Sequence, residues 1–450
     1  PPSARAAMAE PVPRVRRAFP ALAPLLAARL MREHPGALRI ETTIDPRLQR
    51  RAEALAARAV QGAGRRLSAA VVLADHRTGE ILAEVGAADW TDGASAGFVD
   101  MTRAWRSPGS TLKPFVYGLA FDDGLAHPET LIEDRPTVFG RWQPQNFDHH
   151  FRGTVSLRNA LIWSLNIPVV KLAEAVGPNR IAQALRRGGV DLRLPGDAPG
   201  LAVVLGGTGV TLEGLAQGYA ALARGGRGIT LSALPGGGEE RAAAMFGAVA
   251  AWQVGHILAQ NPAPHGARLR PLAYKTGTSY GHRDALAVGY DGAHVGAVWL
   301  GRPDGTPVPG AFGGDLAAPL LFDLFDALPA VALAPPPPQA ADRGQQRPAF
   351  GPAPLFRAGR GQRRRRRRPG RAGCAAPDLS ARRGRDRRPG RLAAKARGGR
   401  GPWTFLVNGA PVAIARPQPV ASLPHPGPGF AEVTVLDALG ASATAAIRLH

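Results

Sequence analysis

Apolar and polar residues change period several times along this chain. Residues 39–45, Arg-Ile-Glu-Thr-Thr-Ile-Asp, alternate and predict a short strand. Asp45-Pro46 then predicts a helix through about Val60, with Asp45 as its cap and Pro46 in its first turn. Two short apolar runs, 69–75 and 80–85, flank His76-Arg-Thr-Gly79 and predict a hairpin. Helical spacing dominates 111–125, 155–175, 178–188, 211–225 and 242–260. A second hairpin is predicted from 285–290 and 294–300 around Asp291-Gly-Ala293. Strands, then helices, then strands again predict an α+β domain with a largely antiparallel sheet. No internal repeat of solenoid period is present.

The run Pro335-Pro-Pro-Pro338 ends that domain with an extended spacer. Near the end of the chain, 403–408, 411–415, 431–436 and 444–449 read as short strands of a small β-sandwich module. The organisation expected is a lead-in over 1–37, a main domain over 38–330, a linker over 331–400 and a β module over 401–450. The lead-in carries a moderately helical patch at 22–32. The chain opens Pro-Pro without an initiator Met, so a fragment or processed product is expected.

Composition adds little until it is localised. The 450 residues are 45% hydrophobic and 20% charged, which is ordinary for a globular protein. The net charge of +22 suggests a polyanion partner, but residues 341–400 hold 20 of the 56 Lys and Arg against three acids. In that segment 46 of 60 residues are Arg, Gly, Ala or Pro, and Arg363 to Arg368 is an unbroken run. So poor a supply of large apolar side chains cannot offset ordering entropy. The segment is therefore expected to lack a packed core, as a basic arm or as GC-rich DNA read out of frame. The run Arg363 to Arg368 has no interleaved aromatics for base stacking and no recognised nucleic-acid fold adjoins it, so no nucleic-acid partner is expected. The longest apolar stretch, 18–31, is cut by Pro20, Pro24 and Arg29, too short and broken for a membrane span. The single cysteine, Cys374, excludes an internal disulfide framework and a cysteine-based zinc site.

Candidate chemistry gathers in three places. Ser107-Pro-Gly-Ser110-Thr-Leu-Lys113 opens a predicted helix and puts Ser110 and Lys113 on one face. A serine hydroxyl needs a base, and a desolvated lysine held neutral can serve. A helix start adds free N–H groups near the carbonyl under attack. Alone, this spacing is common and fits a capped helix with a solvated lysine. Ser164-Leu-Asn166 follows a predicted helix, and Lys275-Thr-Gly-Thr278-Ser lies on or beside a strand. Ser-x-x-Lys, Ser-x-Asn and Lys-Thr-Gly in this order mark penicillin-recognising serine enzymes.

Longer stretches carry the same resemblance. Residues 107–118, Asn146-Phe-Asp-His-His-Phe-Arg-Gly153, Asn159-Ala-Leu-Ile-Trp-Ser-Leu-Asn166 and 275–284 resemble the transpeptidase half of class A penicillin-binding proteins of the 1C type. The likeness covers about 38–330, and 401–450 resembles the small C-terminal domain of the same proteins. It implies the penicillin-binding transpeptidase fold, related to the serine β-lactamases, an antiparallel sheet flanked by helices with a helical subdomain. It implies Ser110 as nucleophile on a D-Ala-D-Ala stem peptide, Lys113 as its base, and Ser164, bridging Lys113 and Lys275, as the relay of that proton to the leaving amine. Asn166 would hold the peptide amide, while Lys275, Thr276 and Thr278 would hold its terminal carboxylate. Gly277 would admit the substrate backbone, and the N–H groups of Ser110 and Thr278 would form the oxyanion hole. Peptidoglycan stem peptides and β-lactams are the implied partners, at the periplasmic face of the inner membrane. The family's membrane anchor and glycosyltransferase domain have no counterpart in this sequence. No cofactor or metal is implied.

Competing readings are a D,D-carboxypeptidase or β-lactamase on the same fold, a non-catalytic β-lactam sensor, and an Arg-rich polyanion-binding protein. His149-His150 lacks a metal-ligand spacing. Gly206-Gly-Thr-Gly209 reads as a turn into a helix capped by Thr211, not a phosphate loop. Tyr280, His282, Arg283 and Asp284 follow the Lys-Thr-Gly strand and either line the cleft or form a polar loop.

Overall fold

The structure, a computed structural model, describes residues 21–62, 66–140, 142–196, 198–308, 310, 312–338, 378–382, 391–397, 401–407, 410–424, 429–437 and 442–449. The main domain opens with helices Pro24–Glu33 (α1) and Pro46–Val60 (α2), then strands Ser68–Asp75 (β1) and Ile81–Val85 (β2). A 3-10 turn, Gly109–Leu112, runs into helix Lys113–Asp122 (α3), followed by strands Leu131–Asp134 (β3) and Gly153–Ser156 (β4). Helices Leu157–Ile162 (α4), Asn166–Val176 (α5), Pro178–Arg187 (α6), Leu212–Ala223 (α7) and Ala248–Leu258 (α8) come next. Strands Ala273–Thr278 (β5), Asp284–Tyr290 (β6) and His294–Gly301 (β7) and helix Ala318–Phe325 (α9) complete it.

The sheet is antiparallel with strand order β2-β1-β7-β6-β5, as the α+β reading expects. Its side chains alternate with the strand period of two, so each strand feeds two cores. Ala70, Val72 and Ala74 of β1 join the core that holds Phe115 and Tyr219. Ala69, Val71 and Leu73 face the other way, with Leu55 of α2 and Phe322 and Phe325 of α9. Phe115 and Phe325 are fully buried, each stabilising the fold by about 1.5–3 kcal/mol.

Capping follows the sequence closely at two helices. The Asp45 carboxylate accepts from the N–H groups of Arg47 and Leu48 at 2.7 and 3.0 Å, and Thr211 Oγ1 accepts from Gly214 N–H at 3.0 Å. Elsewhere local periodicity misleads. Residues 39–45 lie beside β2 without forming a ladder strand, held by Asp45 N–H to Leu82 O and Thr43 N–H to Ala233 O, both 2.9 Å. The predicted helix over 155–175 breaks into α4 and α5 at Ser164-Leu165. The helix predicted from 242 starts at Ala248, and α9 and the β3–β4 pair are additions.

The described part of the lead-in, residues 21–37, packs onto this domain. Helix α1 packs its Leu26 and Leu30 into the core, and its buried Arg29 reaches β2. There the guanidinium donates to both carboxylate oxygens of buried Glu84, at 2.8 and 2.9 Å, and to Asp100 at 3.3 Å.

The C-terminal module starts earlier than residue 401. Strands Asp378–Arg382 (β8) and Arg391–Arg397 (β9) precede Trp403–Val407 (β10), Ala410–Arg416 (β11), Val420–Pro424 (β12), Gly429–Leu436 (β13) and Ser442–Leu449 (β14). They form two sheets, β11-β10-β13-β14 and β12-β9-β8, around Ala394, Ala396, Phe405, Leu423, Val433 and Val435. A strand can bury small residues on one face and present charge on the other, as Ala394, Lys395 and Ala396 do. The expectation that 341–400 has no packed core is thus corrected for 391–397, whose Ala394 and Ala396 join this core, while 378–382 pairs with it as strand β8. For 339–377, 383–390 and 398–400 the expectation falls outside the described residues. Among the described residues no helix is long and apolar enough to cross a membrane.

Candidate active site

The nucleophile turn is fixed by excluded volume. Gly109 has φ of +51°, and a Cβ there would lie 2.5 Å from Thr278 O and 2.9 Å from Thr278 N. Gly277 reciprocates, since its Cβ would fall 2.5 Å from Pro108 O and 2.8 Å from Thr111 Cγ2. The turn and β5 therefore touch backbone to backbone. The 3-10 geometry repeats every three residues, which stacks Ser110 over Lys113. Ser110 is half-buried, and its hydroxyl makes no hydrogen bond to Lys113.

Lys113 is fully buried, and its ammonium points at the Ser164–Asn166 segment. Nζ donates to Ser164 O at 2.5 Å, Asn166 Oδ1 at 2.6 Å, and Ser164 Oγ and Leu165 O at 3.3 Å each. Burial, and then the charge of Lys275, push its pKa well below the ordinary lysine value, while Asp134 pulls it back up. Ser164 ends α4 in a Schellman turn, with Leu165 N–H on Ala160 O at 2.9 Å and Ser164 N–H on Leu161 O at 3.1 Å. That turn asks for a left-handed residue, usually glycine, and Ser164 supplies it at φ +57°. The strained position aims the Ser164 carbonyl and hydroxyl at Lys113.

A buried polar chain runs behind this segment. Asn146 Oδ1 accepts from Asn166 N–H at 2.8 Å. Asn146 Nδ2 donates to both oxygens of the Asp134 carboxylate at 3.0 and 2.8 Å, and to His150 O at 2.8 Å. Asn166 Nδ2 donates to Gln145 O at 2.6 Å, leaving one N–H of its carboxamide for a ligand. Asp134 escaped the sequence reading because no spacing rule links it to Asn166. The quoted motif beginning at Asn146 was the available signal.

The third element is a sheet edge. Ser279 N–H bonds Asp284 O at 3.0 Å, so by antiparallel alternation Thr278 and Thr276 turn their backbone groups away from β6. Thr278 N–H thus faces the side where Ser110 sits, as an oxyanion donor must. Lys275 is buried, and burial lowers its pKa to about 8. Its Nζ donates to Thr276 O at 3.1 Å, not to Ser164, so the bridge between Lys113 and Lys275 is absent. Thr278 Oγ1 accepts from Gly313 N–H at 3.0 Å. The absent side chain of Gly277 makes room for the protein's own turn.

The surrounding residues sort themselves. Gly206 turns the chain at φ +94°, and its carbonyl accepts from Ser107 Oγ at 2.8 Å, bracing the nucleophile turn. Asp284 is buried and accepts from the Trp299 indole at 2.9 Å, which makes it structural. His282 packs edge to face on Phe147 and Phe312, with centroids 5.9 and 4.9 Å away. Tyr280 projects into solvent, and Arg283 is exposed. Among the described residues no cluster of His, Cys, Asp or Glu could hold a metal ion.

Sheet, flanking helices and this edge site define the fold of penicillin-binding transpeptidase domains. The solved structure of PonA1 from Mycobacterium tuberculosis in complex with penicillin V matches at a TM-score of 0.59. That match covers 70% of this chain and 96% of the other at 22% identity, and shows the fold alone. Residues 69–298 match the penicillin binding protein transpeptidase domain, and the chain belongs to that family. Residues 378–449 match the penicillin-binding protein C-terminus family, starting where β8 starts. The chain is 45% identical to penicillin-binding protein 1C of Escherichia coli (strain K12) over 325 residues, 71% of this chain and 42% of that protein. It is 32% identical to penicillin-binding protein 1B of Vibrio cholerae over 304 residues, 60% of this chain and 38% of that protein. The chain thus spans less than half the length of these curated relatives.

Proposed function

We propose that this chain is the transpeptidase portion of a peptidoglycan synthase, a serine D-Ala-D-Ala transpeptidase that β-lactams acylate. The observation that carries this is Lys113, fully buried, one 3-10 turn from Ser110 and held against Ser164 and Asn166. In its neutral form Lys113 takes the Ser110 proton as Oγ attacks the carbonyl of the penultimate D-Ala. The N–H groups of Ser110 and Thr278 take the oxyanion. Ser164 returns the proton from Lys113 to the departing amine of the terminal D-Ala, which leaves an ester on Ser110. The stem peptide adds as a strand to the outer edge of β5. Its terminal carboxylate lies against Lys275, Thr276 and Thr278, and its amide meets the free N–H of Asn166. The amine of a second stem peptide attacks the ester, forms the crosslink and restores Ser110. Substrates of this kind place the domain at the periplasmic face of the inner membrane.

Intact-mass analysis after incubation with penicillin tests this, followed by mapping of the modified serine. The expected result is one adduct on Ser110, none in Ser110→Ala, and slower labelling of the same residue in Ser164→Ala. Lys113→Arg keeps the charge but not the base, and acylation should fall by about three orders of magnitude. An adduct on any other serine overturns the assignment.

A further inference from the structure

We infer that Asp134 and Asn146 are positioning residues for acylation, the carboxylate fixing the carboxamide that holds Ser164 and Asn166 against Lys113. The inference rests on the reading of Ser110 as nucleophile and goes beyond it to the residues that set its base.

A side-chain amide has two orientations related by a half turn, and they exchange donor and acceptor. An ionised carboxylate and a backbone carbonyl can only accept, so Asp134, with the His150 carbonyl beside it, permits one orientation, with Asn146 Nδ2 toward them. The opposite atom, Oδ1, is then obliged to face α5, where it accepts the free N–H of Asn166 at the first residue of the helix. Asn166 Oδ1 in turn accepts from Lys113. The chain Asp134, Asn146, Asn166, Lys113 is continuous, and every link has defined polarity. It also restrains the left-handed Ser164, two residues from the pinned N–H.

Asp134 has no other evident use for its charge. It is 0% exposed, and among the described residues no cationic side chain forms an ion pair with it. Its remaining partner is the backbone N–H of Arg152 at 2.8 Å. A carboxylate so withdrawn from water costs several kcal/mol in isolation. Its field reaches Lys113 on α3 and Lys171 on α5, raising both against burial, and it also raises buried Tyr117 on α3. Lys113 is faced by Lys275 from β5 with the opposite effect. Removing the Asp134 charge therefore lets Lys113 lose its proton at lower pH.

The test measures acylation of the full chain by a fluorescent penicillin across pH, with mass mapping and thermal melting alongside. Asp134→Asn should acylate Ser110 about 10- to 100-fold more slowly, with the acid limb of the profile displaced to lower pH. Asn146→Ala should be slowed similarly with the acid limb in place, because the Asp134 charge remains. The exchange Asp134→Asn with Asn146→Asp rebuilds the pair with donor and acceptor reversed. It still offers an oxygen to Asn166 N–H but loses the bond to the His150 carbonyl, so it should recover part of the rate lost in Asp134→Asn. Should Asp134→Asn fail to fold, Asn146→Ala and the exchanged pair decide the matter. Wild-type rate and profile in Asn146→Ala or Asp134→Asn overturns the inference, as does slowing that follows melting temperature alone without rescue by the exchange. A wild-type chain that is not labelled on Ser110 overturns instead the reading on which it rests.

Discussion

The two walls of the cleft are held in place by different physics. On one wall, Gly109 and Gly277 let the nucleophile turn and β5 approach to a separation that a single methyl group would prevent. On the other, Ser164 accepts an unfavourable backbone conformation and is bonded by Lys113, while Asn146, itself bonded to Asp134, holds the N–H of Asn166 two residues on. Excluded volume is rigid and indifferent to pH. Hydrogen-bonded strain is adjustable and carries charge. In the proposed mechanism the oxyanion donors, whose position must not vary, belong to the first wall. The groups proposed to handle the proton, whose state must change in each cycle, belong to the second.

The sharpest way to break this contrast is to add volume to the steric wall. Gly277→Ala should drive the turn off β5, cost about 1–3 kcal/mol of stability and slow acylation by about 100-fold. Acylation at the wild-type rate would show that the glycine contact does not set the turn.

A smaller effect should appear with pH. Lys275, lowered to about 8 by burial, must be protonated to attract a carboxylate, so affinity weakens as pH rises through about 8. The loss should approach tenfold per pH unit until the pKa of the complex is reached. Lys113 works in the opposite sense, since it must be neutral and loses competence as pH falls. Acylation should therefore rise and then fall with pH, and a β-lactam analogue with its carboxylate esterified should lack the alkaline fall. Retention of that fall by the ester would assign it elsewhere.

The smallest effect concerns the strained serine. Ser164→Gly relieves the left-handed conformation and should raise stability by about 1 kcal/mol while slowing acylation. A lower melting temperature in this variant would show that no strain is stored there.

These two walls also differed in how far the sequence exposed them. Ser110, Lys113 and Lys275 announce themselves because their spacing is local, three residues on a turn and a motif on a strand beside a hairpin. The sheet was legible for the same reason, through β1, β2, β6 and β7. Asp134 was not, since its partner Asn146 lies across a loop and Asn166 across a helix. Strands of four residues such as β3 and β4 are too short to show an alternation. The break at Ser164 was hidden because both flanking segments are helical and the interrupting residue is no glycine. At the other end of the chain, arginine content concealed β8 and β9, which pair through their backbones, and the buried side chains described on β9, Ala394 and Ala396, are small.

The Arg29–Glu84 pair has a mechanical meaning. Burial raises the Glu84 pKa to about 7 even beside Arg29, so removing the guanidinium would leave a carboxyl that takes up a proton and forfeit the paired hydrogen bonds, worth about 1.5–3 kcal/mol, that tie α1 to the sheet. It is riveted to β2, the outermost strand on the side opposite β5. Across five strands that is a lever of about 19 Å. A torque applied to α1 therefore enters the sheet at β2 and passes to β5 through the ladder bonds between them. The helix serves the domain as a handle, not a tether.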